Sequence, residues 1–226
     1  MAGRSNPRDI LCFQHCDRHI NILCFAVPEV CPICRRLTNE TPCRIPPYVI
    51  PSPFKHAWRN PCSVVIRPTF GTFLNFHLCK LHMSDYLVHF LETFFPGAVF
   101  DYDEDGVNIG SPTWDQECIV VDLRNEGLNQ DMMRHWDQYL IYMSKSGIWT
   151  PLRYDTDRHN CYDFVLTFLK QVGLNFENWA SHSKFSFTQN LVLPHTAKAG
   201  KYITLYRNIL KDGYFCQTSP QLPGGM

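Results

Sequence analysis

The sequence predicts an α+β protein, and three observations lead to this prediction. Short apolar runs separated by turn signals occupy residues 62–123 and are typical of an antiparallel sheet. Two segments with helical periodicity follow at 129–146 and 160–172. A cysteine-dense segment lies ahead of both. The chain is therefore predicted to contain a small zinc-ribbon-like front module at 10–40, a proline-rich connector at 41–60 and an α+β domain at 61–216.

Composition excludes several classes of protein. With 226 residues, 45% of them hydrophobic, the chain is long enough for one sizeable core and a small appendage. Basic and acidic residues number 21 each, so the net charge provides no electrostatic footprint for nucleic acid or for an anionic membrane. No apolar stretch approaches the roughly 18 residues of a membrane-spanning helix. We therefore expect no nucleic acid, no membrane span, and a protein partner that the sequence leaves unknown.

Cysteine usage predicts the compartment. The N-terminal segment MAGRSNPRDILCF lacks the apolar run of a secretory signal, and eleven cysteines at irregular spacing in such a chain favour a reducing environment. We interpret the cysteines as thiols, some of which are metal ligands. The expected location is the cytoplasm or the nucleus, and secretion is not expected.

The cysteine-dense front carries a predicted metal site. Cys31-Pro-Ile-Cys34 is a zinc-knuckle element, in which a short turn lets two sulfurs reach one ion while backbone amides hydrogen-bond the thiolates. Structural zinc takes four nitrogen or sulfur ligands, so a second pair is needed about fifteen residues upstream, a gap that suits a zinc ribbon. The candidates for that pair are Cys12, His15, Cys16 and His19.

The choice among these candidates stays open on spacing. Cys16 pairs acceptably with either Cys12 or His19, whereas joint ligation by the adjacent His15 and Cys16 requires a distorted backbone. The competing interpretation is a metal-free hairpin with buried thiols, because cysteine is among the most buried residue types.

The middle of the chain is predicted to be extended. The run TPCRIPPYVIPSP at 41–53 carries five prolines, which is typical of a connector without a helix. CSVVIRP, YLVHFL and ECIVVDL are short apolar runs that indicate strands, although the length of the second also fits a buried helix. AVFDYDEDGVNIG alternates apolar and polar residues around Asp105-Gly106, which predicts a hairpin.

Two amphipathic helices are predicted after the strands. Asn129 is a suitable N-cap for the first and Gly147 a suitable stop, and its apolar face consists of Met132, Met133, Trp136, Leu140 and Met143. The second ends at Gly173, and its apolar face consists of Cys161, Phe164, Val165, Phe168, Leu169 and Val172. The later segment KYITLYRNILKDGYF is ambiguous between helix and strand.

The Asn160-Cys161 pair opens the second helix and is the candidate catalytic site. A thiol at a helix start lies near unpaired N–H groups and the positive end of the dipole, and both stabilise the thiolate. A histidine would complete a nucleophile–base pair, and His89 in YLVHFL is the preferred partner with His82 as its rival. His159, His77 and His135 are poorer candidates. The competing interpretation is that Cys161 simply packs in the core of an apolar helix.

Several sequence blocks resemble the makorin-2 opposite-strand protein family. These blocks are FQHCDRHI, FAVPEVCPIC, RPTFGTFL, HWDQYL, SGIWTPLRY, HNCYDF and KYITLYR, in this order between about residues 10 and 215. The resemblance implies that the front ligands are His15, Cys16, Cys31 and Cys34. The resemblance therefore favours the adjacent His15 and Cys16 as the second ligand pair, and Cys12 is not among the ligands that it implies.

The Asn-Cys motif is also similar to that of permuted papain-like proteins, which include NlpC/P60, lecithin:retinol acyltransferase-like and PPPDE-type groups. Those proteins place a strand histidine before the cysteine in chain order and use the thiolate for acyl transfer or hydrolysis. The order His89…Cys161 fits this pattern, which implies a papain-like fold for residues 61–216. Where those families have His-x-Gly, this chain has His89-Phe90-Leu91.

Two functions follow from these observations. The first is a non-catalytic or degenerate papain-like protein that acts as an interaction module and carries structural zinc. This interpretation is favoured by the missing glycine after His89. The alternative is a cysteine-dependent hydrolase or acyltransferase with Cys161 as nucleophile, His89 as base and an oxyanion donor at the helix start near Asn160.

Overall fold

Antiparallel sheets and a small number of helices build the chain. The computed structural model describes residues 9–68, 86–91, 98–110, 117–174 and 183–218, with the backbone alone for 86–91. The predicted α+β class is confirmed. The chain divides into two compact units, one formed by residues 1–52 with 201–226 and the other by 53–200.

The first unit is a four-stranded antiparallel sheet. Its strands are β1 (Ile10–Gln14), β2 (Ile20–Cys24), β3 (Ile45–Ile50) and β10 (Tyr214–Thr218), in the order β10-β2-β1-β3. The two central strands supply the core, because Phe13, Ile22 and Cys24 are buried there together with Cys31.

The proline-rich run forms part of this sheet. Residues 45–50 pair with β1 as an edge strand, with Tyr48 opposite Cys12. Pro46 and Pro47 lack the N–H that a central strand needs, so they are tolerated only where one side of the strand has no neighbour. The two units divide after Ser52, and the connector at 41–60 stays a prediction.

The second unit contains a six-stranded antiparallel sheet in the order β4-β9-β5-β6-β7-β8. Its strands are β4 (Phe54–His56), β5 (Ser63–Pro68), β6 (Tyr86–Leu91), β7 (Val99–Asp103), β8 (Gly106–Ile109) and β9 (Glu117–Asp122). The predicted hairpin at Asp105-Gly106 joins β7 to β8. Gly106 has φ +101°, and a Cβ there would lie 3.1 Å from Pro151, so this turn requires glycine.

Both predicted helices are confirmed. Helix α1 is Gln130–Ser144 and α2 is Cys161–Gln171. Asn129 caps α1, since its side chain accepts the Met132 N–H. The indole of Trp136 meets the ring of Phe168 edge to face, with 4.6 Å between ring centroids, and this contact joins the two helices. Helix α2 also lies against β6 and β7.

The C-terminal part resolves the ambiguous segment into a helix followed by a strand. Helix α3 (Lys184–Phe187) continues through a π-helical turn (Thr188–Val192) into α4 (Leu193–Asp212). Gly213, at φ +78°, ends α4, and β10 follows at once. Within the part of the chain that the structure describes, no helix has both the length and the apolarity needed to cross a membrane.

Replacement of Trp136 by alanine should lower the free energy of unfolding by about 3–5 kcal/mol, because the indole is completely buried between α1 and α2. Chemical denaturation followed by circular dichroism measures this change. Tyr142→Ala is the matched control, since that ring lies on the same helix but is 69% exposed, and it should cost about 0.5 kcal/mol or less. Equal losses in the two variants would contradict the packing described.

Candidate metal centre

Four side chains of the first unit converge on one point. The ligand atoms of His15, Cys16, Cys31 and Cys34 all lie within 4.8 Å of one another. The Sγ atoms of Cys16 and Cys31 are 3.9 Å apart, and the Cys34 Sγ lies 3.5 Å from the Nδ1 of His15. Around a tetrahedral zinc, bond lengths place two sulfurs about 3.8 Å apart and a sulfur and a nitrogen about 3.6 Å apart. These two separations therefore fit a tetrahedral zinc, and the remaining ones lie within 4.8 Å.

The Cys31–Cys34 turn is held by backbone hydrogen bonds. The Cys31 carbonyl accepts the Arg35 N–H at 3.0 Å, and the Cys31 N–H donates to the Arg36 carbonyl at 2.8 Å. Arg35 has φ +62°, which closes the turn in the left-handed region. The backbone N–H of Arg36 then points at the Cys34 sulfur and lowers the pKa of this thiol to about 7. The turn thus stabilises the charged form that a metal binds.

A bend lets the adjacent His15 and Cys16 reach the same point. On a regular strand, successive side chains lie on opposite faces, so two neighbours could not share one ion. Strand β1 ends at Gln14, after a register shift in its pairing with β3, and the chain bends at residues 15 and 16. The Nε of Arg44 donates to the Cys16 carbonyl at 3.1 Å and stabilises the bend. The distortion expected for this pair is therefore present.

The imidazole of His15 is buried and held on both sides. Its Nδ1 faces Cys34, and its Nε2 lies 2.8 Å from the Oγ1 of Thr41. Such a partner on the second ring nitrogen is usual for a metal-binding histidine.

Electrostatics favours a cation at this point. Burial, followed by hydrogen bonds and charge repulsion from Cys34 and Cys31, raises the pKa of Cys16 to about 11. Three neighbouring thiolates repel one another, so they coexist only with a positive ion between them.

The other candidates from the front segment lie outside this group. Cys12 is buried in β1, where its thiol is hydrogen-bonded to Tyr48 and raises the pKa of that phenol. The Nε2 of His19 accepts a hydrogen bond from the Nε of Arg18 at 3.0 Å. Two distant cysteines that sequence reasoning did not select, Cys43 and Cys216, pack against the cluster around Cys31, and no spacing rule identifies them.

Asn160 and Cys161 begin α2, as predicted. The Asn160 Oδ1 accepts the Tyr162 N–H at 3.0 Å, and the Asn160 N–H donates to Asp163 Oδ2 at 2.8 Å, which is a capping box. The Asn160 amide also donates to the Thr156 carbonyl. Cys161 itself is 4% exposed. Both polar groups of the Asn160 side chain thus have partners: its oxygen caps α2, and its amide bonds the Thr156 carbonyl.

The structure describes the predicted histidine partners of Cys161 to different extents. The backbone places His89 on β6, opposite Val65 of β5, and α2 lies against β6. The pairing of His89 with Cys161 stays a prediction, and the rival His82 lies outside the described residues. The ring of His159 stacks on Trp149, with 4.5 Å between centroids.

Asn160→Ala should lower the free energy of unfolding by about 1–2 kcal/mol, because it removes the cap of α2. Asn160→Ser is the matched control, since its hydroxyl oxygen can accept a helix N–H as an N-cap without placing a carboxylate against the Thr156 carbonyl, and it should lose less. Denaturant titration of both variants measures the difference. An alanine variant as stable as the wild type would show that the cap contributes nothing.

Two family models match the chain. The model described as DUF4796 N-terminal matches residues 8–36, which include all four converging residues, and the one described as DUF4796 C-terminal matches residues 47–209. Over 209 residues the chain is 36% identical to the human protein named MKRN2 opposite strand protein, covering 92% of this chain and 89% of that one.

No solved structure matches the chain, so these comparisons give no support to the papain-like resemblance. They do confirm the family predicted from the sequence blocks: the chain belongs to the DUF4796 family and is similar along nearly its whole length to MKRN2 opposite strand protein.

Proposed function

We propose that this chain is an interaction protein whose first unit is built around a structural zinc ion. His15, Cys16, Cys31 and Cys34 are its ligands. The observation that carries the proposal is the convergence of their four donor atoms within 4.8 Å, with the Cys16–Cys31 and His15–Cys34 separations close to those around tetrahedral zinc.

A complete donor set supports a structural role. Four protein ligands fill the coordination of tetrahedral zinc, whereas a catalytic zinc keeps one position for water or substrate. The Cys16–Cys31 separation of 3.9 Å also differs from the about 2.05 Å of a disulfide and suits two thiolates that share an ion. The ligand pairs lie on segments about fifteen residues apart, so the ion cross-links the front of the unit.

The surface around the knuckle supports binding to a protein. Val30, Ile33 and Leu37 are 44%, 38% and 41% exposed, and Val30 pairs with Leu37 across the turn. Exposed apolar side chains that adjoin one another on a rigid turn are typical of a contact surface. The ion would hold this turn in shape through Cys31 and Cys34.

Purified full-length protein should contain about one zinc ion per chain by elemental mass spectrometry. Removal of the ion by a chelator should lower the thermal midpoint of the first unit by roughly 10 °C or more, because binding energy is folding energy at such a site. Cys34→Ser should abolish stoichiometric zinc. Cys12→Ser is the matched control and should still bind one zinc ion, because the Cys12 thiol is hydrogen-bonded to Tyr48 and lies outside the ligand group.

Two results would count against the zinc proposal. One is a metal-free protein whose melting does not change on chelation. The other is loss of zinc from the Cys12 variant together with its retention in the Cys34 variant, which would assign a different ligand set.

A second candidate function rests on the position of Cys161. In this candidate, residues 61–216 form a permuted papain-like fold with Cys161 as nucleophile and His89, or His82, as base. The favouring observation is that Cys161 is the first residue of α2, and that α2 lies against the strand that carries His89. The histidine would take the Cys161 thiol proton, the thiolate would attack an acyl carbon, and the imidazolium would return that proton to the leaving group. Water or another acyl acceptor, deprotonated by the imidazole, would then cleave the thioester and release the thiol. The Asn160 and Tyr162 N–H groups donate within the capping box, so they would have to leave it to act as oxyanion donors.

The pH dependence of alkylation distinguishes the two functions. For the non-catalytic protein we expect iodoacetamide to modify Cys161 slowly in the folded chain, because this thiol is 4% exposed, and to modify it at the ordinary rate after denaturation. Peptide mass spectrometry separates Cys161 from the other cysteines. Fast alkylation well below pH 8, lost in His89→Ala or in His82→Ala, would instead establish the cysteine enzyme and identify its base.

A further inference from the structure

We propose that Thr41 sets how His15 binds the metal: its hydroxyl holds the imidazole in the tautomer protonated at Nε2, so that Nδ1 is the ligand atom. Thr41 is thus a positioning residue of the centre. This inference rests on the proposed zinc site and adds to it a ligand atom, a tautomer and a residue from a third segment of the chain.

The geometry around the ring separates its two nitrogens. Nδ1 lies 3.5 Å from the Cys34 Sγ, close to the about 3.6 Å expected when both atoms bind one tetrahedral zinc. Nε2 lies 2.8 Å from the Oγ1 of Thr41, which is an ordinary hydrogen-bond distance. The nitrogen that faces the thiols is therefore the one available to the ion.

The chemistry of imidazole assigns the direction of this hydrogen bond. A neutral ring carries one N–H, and a metal needs the lone pair of the other nitrogen. With the ion on Nδ1, the proton is on Nε2 and donates to the hydroxyl oxygen of Thr41. In the other tautomer the N–H would point at the thiols and exclude the ion. His15 is only 4% exposed although Thr41 is an exposed residue, and the Thr41 hydroxyl is the hydrogen-bond partner that the structure gives to Nε2.

The segment around Thr41 is anchored on both sides. The Thr38 hydroxyl donates to the carbonyl of Glu29 at 3.1 Å, and the Arg44 guanidinium donates to the carbonyl of Cys16 at 3.1 Å. These bonds tie the residues before and after Thr41 to the two ligand segments. Thr41 itself lies 26 residues from His15 and between the two stretches that the family models match.

The test uses full-length, zinc-loaded protein and three variants. Thr41→Val removes the hydroxyl with little change of shape, and Thr41→Ser retains it. Thr218→Val is the matched control, because this threonine is an exposed residue of β10 in the same sheet and its backbone pairs with Ile20. Competition with a chromophoric chelator should show zinc affinity reduced about 10- to 100-fold in Thr41→Val and restored in Thr41→Ser. We expect Thr218→Val to bind zinc like the wild type.

Nitrogen-15 NMR of histidine-labelled protein provides the readout that a purely structural role would not change. In the wild type and in Thr41→Ser, His15 should show a metal-bound Nδ1 and an Nε2–H proton that exchanges slowly with water. In Thr41→Val that proton should exchange faster. The wild-type spectrum alone decides the ligand atom, so the inference can be tested even if a variant fails to fold.

Each contrary result has a distinct meaning. A wild-type chain that binds no zinc overturns the proposed function, and this inference with it. A wild type that binds one zinc through Nε2 overturns the inference and leaves the centre intact. The inference is also overturned, with the centre intact, if Thr41→Val keeps wild-type affinity or if Thr218→Val weakens zinc binding equally.

Discussion

The first unit depends on one constraint: four donor atoms from two segments of the chain must meet within 4.8 Å. The bend after β1, the left-handed Arg35, the amide that faces Cys34 and the hydroxyl of Thr41 all serve this convergence. The buried cluster beneath it is small and consists of Phe13, Ile22, Cys24 and Cys31. Because Cys31 belongs both to this cluster and to the donor set, a bound ion would stabilise the sheet and the site together.

The second unit is stabilised by a different principle. Its helices pack through large buried side chains such as Trp136 and Phe168, and its sheet is wide enough to support them. Asn160 and Cys161, the predicted catalytic residues of this unit, have local structural roles. Asn160 completes a capping box with Asp163, and Cys161 is buried at the first position of α2. Helix capping and burial explain why both residues stand here without invoking catalysis, and α2 lies against the strand that carries His89.

Local sequence patterns predicted local structure well. Apolar periodicity and the Asn129 cap placed the first helix, and apolar periodicity up to Gly173 placed the second, each within one or two residues, because these signals act over a few turns. The cap at Asn160 was not predicted. The Asp105-Gly106 turn was equally clear, since it needs glycine's backbone freedom. Strand β3 was not predicted, because Pro46 and Pro47 are compatible with a strand only at a sheet edge, and an edge is a property of the assembled sheet.

The sequence by itself determined the α+β class, the two helices, the cap at Asn129 and the turn at Cys31 and Cys34, which follow from residue types at short spacing. The family rests instead on the resemblance of sequence blocks along nearly the whole chain. Only the tertiary structure decided how His15 and Cys16 reach the same point and that β10 pairs with β2. It also decided that Thr41 contacts the imidazole of His15, 26 residues away. The physical reason is that such contacts depend on a bend and on strand pairing between distant segments. The closure of long loops is fixed by the whole fold, and no local pattern encodes it.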